Sequence, residues 1–295
     1  MESGIMTELN KAEKYLLENL TRLANEGYVD ENPRPKYKSD GTPAHTISIN
    51  HVVMTYDLSK GEFPFSEARP QAWKTGIQEI RAFYQGQTSN LDVLENEYGL
   101  SWWRDWEVGD TNTHGIRYGE TVKRYNIIDN LIKGLKEDKF SRRHIINLWQ
   151  EQDFIDDKEG LKPCALMSMY SVRKVGDDYY LDATLIQRSS NFLIAGFINQ
   201  SQYVALQMML AKSCGYKIGV FTHFINNFHV YDREVEQAEE ITKRIHQLKQ
   251  RENQSKPILK LNVEEGTSFY DITVDDFELI NYDPIKPQLK FDLAI

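Results

Sequence analysis

The chain has 295 residues, 40% hydrophobic and 12% aromatic, enough to bury a substantial core in one unit. Its formal charge of -9 excludes a polyanionic polymer as the main ligand, since nucleic-acid binding needs a basic surface that displaces counterions, but leaves room for a small phosphate on a local arginine cluster. Cys164, Cys214 and seven scattered histidines lack metal-ligand spacing, the first ten residues lack a secretion signal's apolar stretch, and no run of about 18 apolar residues occurs, so a cytoplasmic, reduced, metal-free protein is expected.

Leu9, Ala12, Leu16, Leu20 and Leu23 recur at helical spacing and predict an opening helix over 7–25, with Gly27 at its end. Prolines 33, 35 and 43 and Asp40-Gly41 mark a loop that carries Arg34, Lys36 and Lys38. A β-rich run covers 46–58, and a helix over 72–85 places Glu79 beside an apolar stripe of Trp73, Ile77, Ile80 and Phe83. Trp102, Trp103 and Trp106 follow, suited either to packing or to stacking on a flat heterocycle. Tyr118 sits at the centre of a glycine-flanked turn.

A helix over 127–135 leads to Arg142-Arg143 and a strand over 145–149. In an extended segment two adjacent arginines point to opposite faces, so one can serve its own subunit and the other a neighbour. Strands over 165–174 and 179–189 flank Val175-Gly176-Asp177-Asp178, and their apolar residues on both faces predict a sheet covered on both sides. The run 200–213 is apolar nearly all round, as in a helix buried at a domain centre. A strand over 217–231, a charged helix over 234–252, a short strand over 257–263, a helical turn or edge segment at 275–279 and an apolar end complete the chain. The reading is one α/β domain, residues 1–295.

Cys164 is a possible nucleophile, Arg188-Ser189 a possible phosphate seat, and Asn199 an amide at the mouth of the apolar helix. Pro163-Cys164, Gln187-Arg188-Ser189, Asn199 and His229-Val230-Tyr231 resemble the signature of the thymidylate synthase family. Ser141-Arg142-Arg143-His144, Asp40-Gly41-Thr42-Pro43 and Pro287-Gln288-Leu289-Lys290-Phe291 fit as well. The likeness runs in order from about Arg34 to Ile295 and is greatest to the form found in clostridia and their relatives.

The resemblance implies an α+β fold with a large mixed twisted β-sheet, a buried central helix and sheet packing across a homodimer. It implies reductive methylation of dUMP to dTMP with 5,10-methylenetetrahydrofolate, through a covalent bond between Cys164 and uracil C6. Cys164, its pKa lowered by arginine, Glu79 and Tyr118 would be catalytic. Arg34, Arg188 and Ser189, with Arg142 and Arg143 lent across the dimer, would hold the phosphate, alongside Gln187. Asn199 would read uracil N3–H and O4, because an amide offers both a donor and an acceptor. His229 and Tyr231 would bind the sugar hydroxyl. Trp103, Trp106, Asn191, Ala294 and Ile295 would line the folate, while Cys214 would be an inert core residue.

The sequence departs from the family pattern at Asn191, where relatives carry aspartate, and at Arg81, Ala82, Arg104, Met169, Ala195 and Phe197, all expected on the folate side. Two other outcomes stay open: a dUMP 5-hydroxymethylase, in which water captures the exocyclic methylene, and a nucleotide-binding pseudoenzyme. If Asn191 is a simple loss of charge, Asn191→Asp raises folate-dependent turnover.

Overall fold

A computed structural model of the chain describes residues 8–155, 160–251 and 256–295. In chain order it contains α1 (Lys11–Glu26), β1 (Tyr28–Val29), β2 (Thr46–Asp57), α2 (Trp73–Tyr84), α3 (Leu91–Tyr98), α4 (Gly119–Arg124) and α5 (Ile127–Glu137). Then come β3 (Ile145–Asn147), β4 (Ala165–Val175), β5 (Asp178–Asn191), α6 (Phe197–Cys214), β6 (Lys217–Tyr231), α7 (Val235–Lys249), β7 (Ile258–Leu261) and β8 (Phe277–Ile280). The expected charged helix stops at Lys249, and its last expected residue, Glu252, lies outside the described residues.

Six strands form one mixed sheet in the order β1-β2-β6-β5-β4-β3. Only β5 and β6 run parallel, because α6 between them returns the chain to the same end of the sheet, as parallel pairing requires. β4 and β5 instead close through two residues, Gly176 and Asp177. Gly176 takes φ +62°, a left-handed conformation that glycine adopts without steric cost. β7 and β8 make a separate antiparallel pair.

α6 has no polar stripe because it is enclosed: every residue from Gln200 to Ala211 is buried. α2 packs across it at Gly76, where a Cβ would stand 3.1 Å from Ile198 and 3.2 Å from Gln202. The missing side chain lets the two backbones approach, and this approach sets the distance between α2 and the polar residues of the first turn of α6.

Within the single chain the expected cover is present on one face of the sheet. Along β4, β5 and β6 buried residues alternate with half-exposed ones, so within one chain only the α6 face is covered. Side chains on the open face fall into rows across the strands, the first apolar and the second half threonine. Val53, Phe224, Ile186 and Met167 align in register, as do Thr222, Thr184, Met169 and Ile145. Val53 is 53% exposed and Ile145 44% exposed. No helix among the described residues is long and apolar enough to cross a membrane.

Candidate active site

Cys164 immediately precedes β4 and is held from two sides. Its carbonyl accepts from the Arg188 backbone N–H at 2.9 Å, and its own N–H donates to the Tyr118 hydroxyl at 3.4 Å. The Arg188 guanidinium donates to the carbonyls of Pro163 and Lys162, each at 2.9 Å. The arginine thus orders the turn that presents the cysteine while placing a positive charge beside it. The expected depression of the thiol pKa does not occur. Burial pushes the Cys164 thiol up, and the opposing fields of Arg188 and Arg34 do not overcome it. Cys214 is half-buried, with its thiol pushed by burial to about 11, as suits an unreactive packing residue.

Tyr118 sits at φ +46°, a strained conformation for a non-glycine residue. Its ring stacks on Phe83 at 4.9 Å, which holds the hydroxyl toward Cys164. Burial raises its pKa well above the ordinary phenol value, so it is a neutral hydroxyl.

Glu79 projects from α2 between two indoles and an amide. Trp103 Nε1 donates to its Oε1 at 2.6 Å, Trp102 Nε1 donates to the same oxygen at 3.2 Å, and Gln202 Nε2 donates to Oε2. These donors favour the carboxylate, yet burial dominates and raises the pKa. A buried carboxyl group displaced upward in this way is suited to exchange protons with a bound ligand. Trp103 is therefore placed against the acid, whereas Trp106 is half-buried at the end of the same turn. His114 backs this cluster, 4.7 Å from the Trp103 ring, and burial lowers its pKa to about 4.

Asn199 lies in the first turn of α6 and donates to Gln202 Oε1 at 2.9 Å. Gln187, on β5, donates to Asn199 Oδ1 at 3.1 Å and to the Ser189 carbonyl at 3.0 Å. Ser189 follows Arg188 at half-buried positions of the same strand. His229 and Tyr231 end β6: the His229 ring is 2.8 Å from Asn227 Oδ1, and burial holds its pKa down at about 4.

Arg34 is exposed on the loop before β2, near enough to act on both Cys164 and Tyr231. That loop is zipped to the other end of the chain. Lys36 exchanges two backbone hydrogen bonds with Ile295, Lys38 N–H donates to the Leu293 carbonyl, and Tyr37 pairs with Ala294. Arg233 clasps both pieces through Asp40 and Asp292, 2.7 Å from each. Lys38 also pairs with Asp105 of the tryptophan turn. Arg142 and Arg143 are exposed ahead of β3 and stand apart from this assembly as surface residues of the chain.

Asn191, at the end of β5, donates to Oε1 of buried Glu234 at 2.8 Å. The other Glu234 oxygen accepts from the Tyr231 N–H at 2.8 Å. The Asn191 carbonyl oxygen is buried without a hydrogen-bond partner among the described residues. Of the other departures, Met169 lies in a row on the open sheet face and not on the folate side where it was expected. Arg104 binds Asp92, Glu95 and Asn112 and so pins α3. Arg81 hydrogen-bonds Gln78 and Gln85 and lies over the Tyr98 ring, and Phe197 packs edge-on against Phe192. These three are explained by packing within the chain.

Sequence reasoning missed Gln202, His223 and Glu234, and named Trp102 only within the tryptophan-rich stretch. Gln202 was accessible in principle, three residues after Asn199 on a helix and so on the same face. The others are joined to the site only by tertiary contacts.

A family model described as thymidylate synthase matches residues 14–295. A protein named thymidylate synthase from Streptococcus pneumoniae (strain 70585) is 50% identical over 287 residues, covering 97% of this chain and all of that one. One of the same name from Streptococcus gordonii (strain Challis) is 49% identical over the same span. Among solved structures, the thermostable thymidylate synthase A from Bacillus subtilis aligns with a TM-score of 0.83 at 32% identity, covering 96% of this chain and 99% of that one.

Proposed function

The chain belongs to the thymidylate synthase family, and on that premise we propose that the site seats dUMP and methylates its uracil at C5. The observation that carries this reading is the fixing of Cys164 by Arg188 and Tyr118, within a polar network that joins Asn199 to Glu79. Arg34, Arg188 and Ser189 bind the phosphate, with Arg142 and Arg143 supplied by a second copy of the chain. Charge-assisted hydrogen bonds contribute about 1.5–3 kcal/mol each, enough to hold C6 over the thiol. His229 and Tyr231 bind the sugar hydroxyl, and Asn199 reads the base edge.

Cys164 Sγ bonds to uracil C6 as the C5–C6 double bond opens, and the thiol's proton ends on uracil O4, leaving C5 of the resulting enol nucleophilic. Glu79 exchanges protons with the base through its network. Tyr118, kept as a phenol, stands beside Cys164 where the C5 proton is removed and is not itself the base. Expulsion of Sγ then restores the double bond. When bound, 5,10-methylenetetrahydrofolate supplies the one-carbon unit and the hydride. The fit to this group rests on Asn191: its unpaired buried oxygen is an acceptor of the kind a pterin's N–H groups need, and the Glu234 bond fixes the amide that carries it. Trp103 and Trp106, with Ala294 and Ile295, close the folate side.

A second copy also supplies the cover that the open sheet face lacks within one chain. Obligate interfaces are large and apolar, which matches the row of Val53, Phe224, Ile186 and Met167.

Incubation with dUMP and 5,10-methylenetetrahydrofolate tests the reading, with both products identified. Thymidylate and dihydrofolate are expected, and Cys164→Ser yields neither. Hydroxymethyl-dUMP with tetrahydrofolate would replace methylation by hydration as the terminal step.

A further inference from the structure

His223, Gln187, Asn199, Gln202 and Glu79 form one unbroken hydrogen-bond chain across β6, β5, α6 and α2. An amide can be turned end for end, so its direction has to be read from its neighbours. At one end Glu79 accepts at Oε1 from two indole N–H groups, which can only donate, and in its carboxylate form it also only accepts at Oε2. The indoles occupy Oε1, so Gln202 turns its N–H to Oε2 and its oxygen to Asn199. At the other end Gln187 donates to the Ser189 backbone carbonyl, which can only accept. Its second N–H goes to Asn199 Oδ1, and its own oxygen lies 2.9 Å from His223 Nε2. His223 is fully buried, with a pKa lowered by burial to about 3, so its ring is neutral. A neutral ring facing a carbonyl oxygen carries its proton on Nε2.

Both ends therefore impose the same direction. Asn199 is left with one N–H and one lone pair unspent, in fixed positions. Turned over, the same amide would present them in the opposite order, which matches cytosine N3 and its amino group. We propose that His223 and Gln202 are positioning residues for base recognition, holding the Asn199 amide in its uracil-reading orientation from either side. This rests on the dUMP reading above.

The test measures dUMP and dCMP binding to the full-length protein by calorimetry, independently of turnover. Parent protein that fails to bind dUMP would overturn the reading of the site itself, before any variant is made. Given parent binding, His223→Phe keeps a ring and removes the donor, while Gln202→Met keeps length and removes both polar atoms. Each is expected to narrow the dUMP preference on the order of tenfold, the scale of one lost hydrogen bond, with dCMP binding improving as dUMP binding weakens. His223→Gln, which restores a donor, is expected to recover most of the preference. Unfolding midpoints are measured alongside, and two variants on different elements guard against one failing to fold. Equal loss of both nucleotides, with preference unchanged, would mean that the chain only supports the fold and would overturn the proposal.

Discussion

At the scale of single residues, Asn191 reverses its own expectation. Read as a lost charge, it invites restoration by aspartate. Its amide, however, sits 2.8 Å from the buried carboxylate of Glu234, whose pKa burial already raises. An aspartate there would set two carboxylates in contact and force them to share a proton. A carboxyl group whose folded pKa is raised stabilises the fold below its unfolded pKa and loses that contribution as pH rises through the folded value. Asn191→Asp is therefore expected to match the parent near pH 4 and to fall behind it by pH 8. The deficit is about 1.4 kcal/mol per unit of raised pKa, seen as a falling unfolding midpoint across that range. A variant as stable as the parent at pH 8 would show that Glu234 can turn away. Cys164 teaches the same lesson. Its position was legible from Pro163-Cys164, but its acidity was not, because burial depends on what the rest of the chain lays over it.

At the scale of elements, sequence patterning served best where one partner fixes the whole segment. Lys217 to Tyr231 is a strand from end to end as expected, since alternation and β-branched residues agree along its length. α3 was not legible: Leu91 and Leu94 supply only two buried positions, and Arg104 holds it from a distant turn. The start of α6 was also misplaced, at Gln200 in place of Phe197, because residues 192–196 already wind as a wider turn ahead of it. The crossing of α2 over α6 at Gly76 matters for chemistry. Gly76→Ala gains about 0.5–1 kcal/mol of helix propensity but presses on Ile198 and Gln202 by a few tenths of an ångström. Stability is expected to change by less than about 1 kcal/mol. Turnover is expected to fall several-fold, because Gln202 and Glu79 are pushed off register. Steady-state kinetics beside a denaturant titration separates the two effects.

For the whole molecule, the proposed second copy of the chain would account for both the open sheet face and the exposed Arg142-Arg143 pair. If the arginines act across that boundary, two inactive proteins can repair one another. Cys164→Ser retains the arginines, and an Arg142→Ala, Arg143→Ala double variant retains the cysteine. Mixed under conditions that exchange subunits, they are expected to recover up to about a quarter of parent activity, since random pairing makes half the dimers mixed, each with one complete site. No recovery, with exchange verified by mass, would place both arginines in service of their own chain. The sheet also has a consequence for how the protein is made. β2 lies between β1 and β6, yet β6 follows it by roughly 160 residues. At about 5–20 residues per second of synthesis, β2 waits on the order of 10–30 s for its main neighbour, holding a twelve-residue edge open to other chains. The ribosome's pace, more than the final stability of the sheet, then sets how much nascent protein escapes aggregation.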